Sequence, residues 1–424
     1  MKPLPWPYAF AIAGSLAGGP IWAQPAASPL GPRAALPPAS APATGSVTLA
    51  AALDAAWQRA VAARESEGQR RRADADRTAA GSFWAAPPSL ELSYRSDRLH
   101  RNAGSIEAEV GVAIPLWLPG QRAARASTAN AAAAQALVAE PVARLRLAGA
   151  LRETVWQIAA AQAALAQADT QVQGLKKLAD DVERRVRAGD LARADALAAQ
   201  AEQLAAAALQ ADVRLQLQDA RARWTLLTGL SSEPDLTAAT NDVAPDSAAR
   251  HPELQLASRT TELARQRVEL MRRSRRDAPE LTVGVTQGVP GRGEPSQGSV
   301  VVGLRLPLGT SDRNQPLEAA ALSDLDLAQT LEQRLQERVD SEIVAARDAL
   351  SAAQAQLDAE TARGGLLRER AALIDKSFRA GETPLPDLLR ALTATAQADS
   401  AAARQTAALG LARARLQQTL GLLP

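Results

Sequence analysis

Arg185-Val186-Arg187-Ala188-Gly189-Asp190-Leu191, followed by Asp195-Ala196-Leu197, returns 192 positions later as Ser377-Phe378-Arg379-Ala380-Gly381-Glu382-Thr383, followed by Asp387-Leu388-Leu389. Both copies share Arg-Ala-Gly, an acid, and then Asp-x-Leu, between long Ala/Leu-rich stretches of helical pattern. Glycine is the usual residue where a helix ends in a left-handed conformation, so each copy reads as a tight turn joining two long antiparallel helices. The same offset relates Ala220–Leu230 to Ala412–Leu422, and Val110–Leu116 to Val302–Leu308. Three separated segments at one spacing mean a tandem duplication.

Outward from the turns, the pattern is long helix. From about Gln121 to Arg187 there is one proline, Pro141, and no strand signal. At ~1.5 Å per residue that stretch is on the order of 100 Å long. Leu151, Ile158, Leu165, Val172, Ala179 and Val186 fall seven apart, a coiled-coil seam, and Ile343, Leu350 and Leu357 repeat it. The return helices are expected over about Leu191–Leu227 and Leu385–Leu420. Gly174 and Gly364-Gly365 interrupt this pattern; close helix packing is the expected reason, with a hinge as the alternative.

Each long helix is preceded by a pair of strand patterns. Leu90, Leu92 and Tyr94 alternate with polar residues, as do Ile106, Ala108, Val110, Val112 and Ile114, with Ser96–Ser105 as the polar loop between. The second half repeats this with Leu281, Val283 and Val285, a Gly/Pro-rich loop, and Val300 to Leu308. Period two gives each strand one apolar and one polar face. Thr48 caps a helix expected to run unbroken to about Arg77.

The N-terminus has the form of a secretory signal over residues 1–23: Lys2, a short apolar run, then small residues up to Ala23. Residues 24–47, rich in Pro and Ala, read as a linker. The domain plan is a first repeat over 48–230 (hairpin about 89–118, tip turn 187–191), a bridge over 231–249, and a second repeat over 250–424 (hairpin about 280–308, tip turn 379–383). No other stretch approaches the ~18 apolar residues of a membrane helix. Four strands cannot close a barrel, which needs about eight, and open edges cannot sit in lipid. Membrane-embedded strands would therefore require oligomerisation, with eight strands from two chains or twelve from three.

Aromatics are 3% of the chain, Lys+Arg 48 nearly balances Asp+Glu 46, and cysteine is absent. Few aromatics argue against several compact cores. The charge balance gives no basic field for nucleic acid, and the missing cysteines exclude disulfides and thiol chemistry. His100 and His251 are the only histidines, and neither has metal-ligand spacing around it. No phosphate loop, nucleophile elbow or dinucleotide fingerprint is present, so neither catalysis nor a cofactor is expected. The clusters Arg70-Arg71-Arg72 and Arg272-Arg273/Arg275-Arg276 read as solvated helix faces.

Taken in order, the duplicated hairpin, long helix, Arg-Ala-Gly turn and return helix, with Thr48-Leu49 opening one half and His251-Pro252-Glu253-Leu254 the other, resemble the TolC-type outer-membrane efflux family. The resemblance covers about Thr48 to Leu422. It implies a mainly α chain with a membrane β-barrel, four strands per chain contributing to a trimeric twelve-stranded barrel, and a helical periplasmic tunnel. It also implies a Gram-negative outer-membrane location and a role as exit duct for a periplasmic adaptor and an inner-membrane pump, the RND type being expected. Pro115-Leu116-Trp117-Leu118-Pro119-Gly120-Gln121-Arg122, with Asp312-Arg313-Asn314-Gln315, looks like the CzcC-like branch that serves heavy-metal pumps. The lipidated cysteine of many relatives is missing.

Carried over residue by residue, the resemblance places adaptor or pump contact at Arg187, Ala188, Gly189 and Asp190 and at Arg379, Ala380, Gly381 and Glu382. The same residues also read as simple helix C-caps. Asp195 and Asp387 occupy the positions where some relatives carry an acidic ring that gates the tunnel, with Arg390 placed to pair with Asp387. Alternatively each Asp is a solvated first-turn residue favoured by the helix dipole. Glu107, Glu109 and Arg305, on polar strand faces, would line the barrel lumen. The competing reading is a periplasmic coiled-coil adaptor or scaffold without a pore.

Overall fold

The computed structural model describes residues 46–99, 103–235 and 251–424; the signal segment, nearly all of the linker and most of the bridge lie outside the described residues. The described chain runs α1 (Leu49–Arg59), α2 (Val61–Ala80), β1 (Ser89–Ser96), β2 (Ile106–Pro115), α3 (Gln121–Ala188), α4 (Arg193–Thr228), α5 (Pro252–Arg273), β3 (Glu280–Val289), β4 (Gln297–Arg305), α6 (Ser311–Arg379) and α7 (Leu385–Thr419). The duplication is visible as two long helices of 68 and 69 residues, each followed by a return helix of 36 or 35.

One expectation fails at the N-terminal helix. It is broken at Ala60, whose φ of −68° and ψ of 135° are extended, so α1 and α2 are separate helices. Ala60 precedes α2 much as His251 precedes α5, about one repeat length later. The second repeat marks that boundary with Pro252, whereas the first marks it with Ala, which gives the sequence no local signal.

The strands form one antiparallel sheet in the order β1-β2-β3-β4. The two hairpins are therefore joined edge to edge through β2 and β3, with Val110 opposite Val285 and Val112 opposite Val283. Helix α3 is the organising element, packing against α4, α5, α7, α2 and α1, while α6 packs on α5 and α7. The expected seam is present: Leu151, Ile158 and Ala179 are buried, with Leu165, Val172 and Val186 partly so. Near mid-height Leu49, Leu53 and Ala56 of α1 close over Leu151, Val155 and Ile158 of α3 and Trp224 of α4.

The two repeats are locked together along α3 and α7. Gly410 lies flat beneath Trp156, where an added Cβ would come within 2.1 Å of the indole. Arg152, only 3% exposed, donates to Gln418 Oε1 (2.6 Å) and to the Leu422 carbonyl (2.8 Å). Burial pushes its guanidinium down to about 10, which leaves it charged at neutral pH. Of the helix-interrupting glycines, Gly364 packs beside Asp399, but Gly174 and Gly365 face open space, so close packing does not explain them.

Candidate functional site

The pairing registers stack side chains into rows across the sheet. Leu90, Val112, Val283 and Val302 form one row, and Leu92, Val110, Val285 and Val300 the next. This apolar face is bare: Leu92 and Val300 are both 71% exposed, and Tyr94, Val285, Val302 and Leu304 are exposed as well. Burying such a face against lipid or protein is strongly favourable, and leaving it in water is not.

The opposite face carries Ser93, Glu109, Thr286 and Ser299 in one row and Arg95, Glu107, Gly288 and Gln297 in another. Thr286 and Ser299 share a hydroxyl hydrogen bond of 2.7 Å. Arg95 pairs with Glu107 at 3.3 Å, and Arg305 with Glu280 at 3.7 Å. Glu107, Glu109 and Arg305 thus share the polar face, with Arg305 at the opposite end of the sheet from the two glutamates, and Glu109 makes no ion pair among the described residues. Gly111 faces Gly284 at its centre, and a Cβ on Gly284 would lie 2.8 Å from the Val110 carbonyl, so the backbones approach too closely for a side chain there.

At the far end of the helices both turns are built alike. Gly189 (φ 88°) and Gly381 (φ 81°) take the left-handed conformation, and the next residues donate back, Asp190 N–H to the Arg185 carbonyl (2.9 Å) and Glu382 N–H to that of Ser377 (3.1 Å). This six-to-one closure is the Schellman motif. Arg187 through Asp190 and Arg379 through Glu382 are all exposed. Behind them Val182, Phe378, Leu385 and Leu388 form one buried cluster that joins the two turns, and the Arg185 guanidinium stacks 5.1 Å from the Phe378 ring.

Side chains at the two turns differ. Arg379 is held by Asp375 at 2.8 Å, whereas Arg187 makes no ion pair among the described residues. Asp195 accepts from the Ala192 N–H (3.2 Å), half of a capping box whose other half is impossible because Ala192 has no side-chain acceptor. Asp387 instead accepts from Arg390 Nη1 at 3.0 Å. Sequence reasoning anticipated the Asp387–Arg390 pair but missed the joined sheet and the Arg152 contacts. No periodicity marks a cross-repeat partner.

Among the described residues no helix is long and apolar enough to cross a membrane, and no group of three or more His, Cys, Asp or Glu is placed to hold a metal.

No family model and no curated protein matches the sequence. Solved structures do. The outer-membrane protein VceC of Vibrio cholerae superposes with a TM-score of 0.71 at 16% identity, over 88% of this chain and 96% of that one. CusC, described in terms of transmembrane channel formation, gives 0.74 at 14% identity over 90% and 94%. The MtrE outer-membrane channel of Neisseria gonorrhoeae, in its open state, gives 0.70 at 15% identity over 88% and 89%. The duplicated hairpins, the joined sheet and the paired long helices are therefore one known architecture, and this chain has the fold of the TolC-type outer-membrane efflux channels.

Proposed function

We propose that this protein is the outer-membrane exit duct of a tripartite efflux system, passively conducting what an inner-membrane pump delivers through a periplasmic adaptor. The observation that carries the reading is the four-stranded sheet with a bare apolar face, a polar reverse and two unpaired edges, continuous with helices of about 100 Å. Joining the β1 edge of one copy to the β4 edge of the next removes every open edge, and three copies give the twelve strands the resemblance implies. The helices support the same closure: α4 and α6 carry exposed Leu204, Leu215, Leu331 and Leu366 with no partner for them in one chain. Glu107, Glu109 and Arg305 then line the lumen.

The exposed turns at Arg187–Asp190 and Arg379–Glu382 are the surface offered to the adaptor or pump. Asp195 and Asp387 are the candidate gate, the second restrained by Arg390. The branch resemblance at Pro115–Arg122 supports heavy-metal cations as cargo, since a passive duct needs no ligand cluster. Nothing in the design calls for catalysis.

Conductance of the purified protein in a planar bilayer, beside the Asp195→Ala/Asp387→Ala double variant, tests this. Small cation-selective steps that enlarge in the variant support duct and gate together. Steps indifferent to the substitutions keep the duct and remove the gate. A water-soluble monomer that never inserts supports the scaffold reading instead.

A further inference from the structure

Where the strands run into their helices, an open hollow of about 520 Å³ lies between the start of α3, the end of α5 and the start of α6. Arg272, Arg273, Arg275 and Arg276 line it together with Thr310 and Asn314. The solvated-helix reading of this cluster holds only for the first pair, because α5 ends at Arg273 and Arg275 and Arg276 lie in the bend that follows. Arg272 is occupied by Glu269 (3.0 Å) and Glu318 (3.6 Å). Arg273, Arg275 and Arg276 make no ion pair with any described residue.

The nearby acids do not neutralise them. Asp277 is taken by Arg313, and Asp312 accepts from the Ser311 hydroxyl at 3.4 Å. The floor of the hollow is the start of α6, whose N-cap Thr310 makes no side-chain capping bond, leaving first-turn N–H groups free. Three unpaired guanidiniums above a helix N-terminus favour an anion with several oxygens.

The wall above decides which anion. Leu304 lies on the apolar face at the end of β4, and the chain leaving the strand carries Leu306 and Leu308 on to Gly309 and Thr310 in the lining of the hollow. Leu306 and Leu308 are exposed, Leu308 by 83%. An anion that also carries hydrocarbon satisfies both surfaces, while a free ion leaves the leucines in water.

We propose that this hollow binds the phosphate headgroup of a glycerophospholipid at the periplasmic edge of the barrel, its acyl chains lying along Leu306, Leu308 and the apolar sheet face. The assignment rests on the reading of the sheet as membrane-embedded. Basic residues beside a membrane add about fivefold each to anionic-lipid affinity, so removing three is expected to cost roughly a hundredfold.

The test uses the full chain in detergent micelles, with phosphatidylglycerol and inorganic phosphate as separate probes and native mass spectrometry to count bound lipid. Wild type is expected to retain phosphatidylglycerol against millimolar phosphate, and R273Q/R275Q/R276Q to lose it by the factor above. Leu308→Ser, at a position exposed in the monomer, is expected to weaken lipid retention without the charge change, and it serves if the triple variant does not assemble. Equal retention by wild type and both variants overturns the site. Complete displacement by inorganic phosphate, with Leu308→Ser silent, makes it a plain anion site and overturns the lipid assignment. A chain that stays water-soluble removes the duct reading and this one together, whereas a conducting chain without retained phosphatidylglycerol removes this one alone.

Discussion

The two helix turns share a backbone and differ in chemistry. At the first, Asp195 spends its carboxylate on the Ala192 N–H. At the second, the equivalent backbone position is Pro384, which has no N–H, and Asp387 turns to Arg390 instead. Two changes therefore decide whether this acid caps the backbone or pairs with an arginine: the N–H lost at Pro384, and Arg390 standing where the first copy has Ala198. Duplication copies the fold, and local donors then assign each side chain its partner.

The sharpest contrast between the repeats lies at mid-height. Arg152 is buried, while Val344, 192 positions later, is 57% exposed. Copying the second repeat into the first, Arg152→Val, strands Gln418 Oε1 and the Leu422 carbonyl at the seam between the repeats, while Gln418 Nε2 keeps its bond to the Leu145 carbonyl. A loss of about 2–4 kcal/mol in chemical unfolding is expected. The reverse copy, Val344→Arg, should change stability by less than ~0.5 kcal/mol. Equal effects would show that the repeats are interchangeable there.

The turns should be more alike. Gly189→Val and Gly381→Val each force a branched side chain into a left-handed conformation, at a cost of about 1–2 kcal/mol. Matching losses sharpen the equivalence of the two backbones, and a tolerant turn breaks it. The acids should diverge: Asp195→Ala removes a capping bond worth about 0.5–1 kcal/mol, whereas Asp387→Ala removes an exposed pair worth about 0.3 kcal/mol.

The smallest contrast appears only with pH. His251 caps α5, its Nδ1 accepting from the Glu253 N–H (3.3 Å), and burial lowers its pKa below the ordinary 6.5, against the opposing pull of Glu253. The folded state therefore binds the proton less readily than the unfolded chain, so stability is full above pH 6.5 and falls as the pH drops below it. Ala60, which opens α2, cannot titrate. His251→Asn, which caps at any pH, should unfold with the same midpoint at pH 7.5 and 5.5, while the wild type loses stability at the lower value.

Most of the architecture was legible because its signals are local and repeated. Period-two stretches gave the four strands, the seven-residue seam of Leu151 to Val186 gave α3, and the glycines gave the turns. The break at Ala60 was not legible, because alanine is a strong helix former and packing overrides it. Nor was the β2–β3 join, which pairs residues some 170 positions apart, so no short-range pattern reports it. The turn residues were placed by resemblance, and the structure adds which of their charges are already engaged.

The unpaired edges of the sheet have a genetic consequence. If the ring is built of three copies, each chain supplies one edge at two of its seams, and no copy is complete without both neighbours. A proline at Leu92, whose N–H points away from β2 on the β1 edge, leaves the chain able to join on one side and unable to seal on the other. In a cell making equal amounts of sound and damaged chains, only about one ring in eight is wholly sound when three copies are drawn at random. On the proposed reading such an allele is expected to be dominant, with exporter activity far below half.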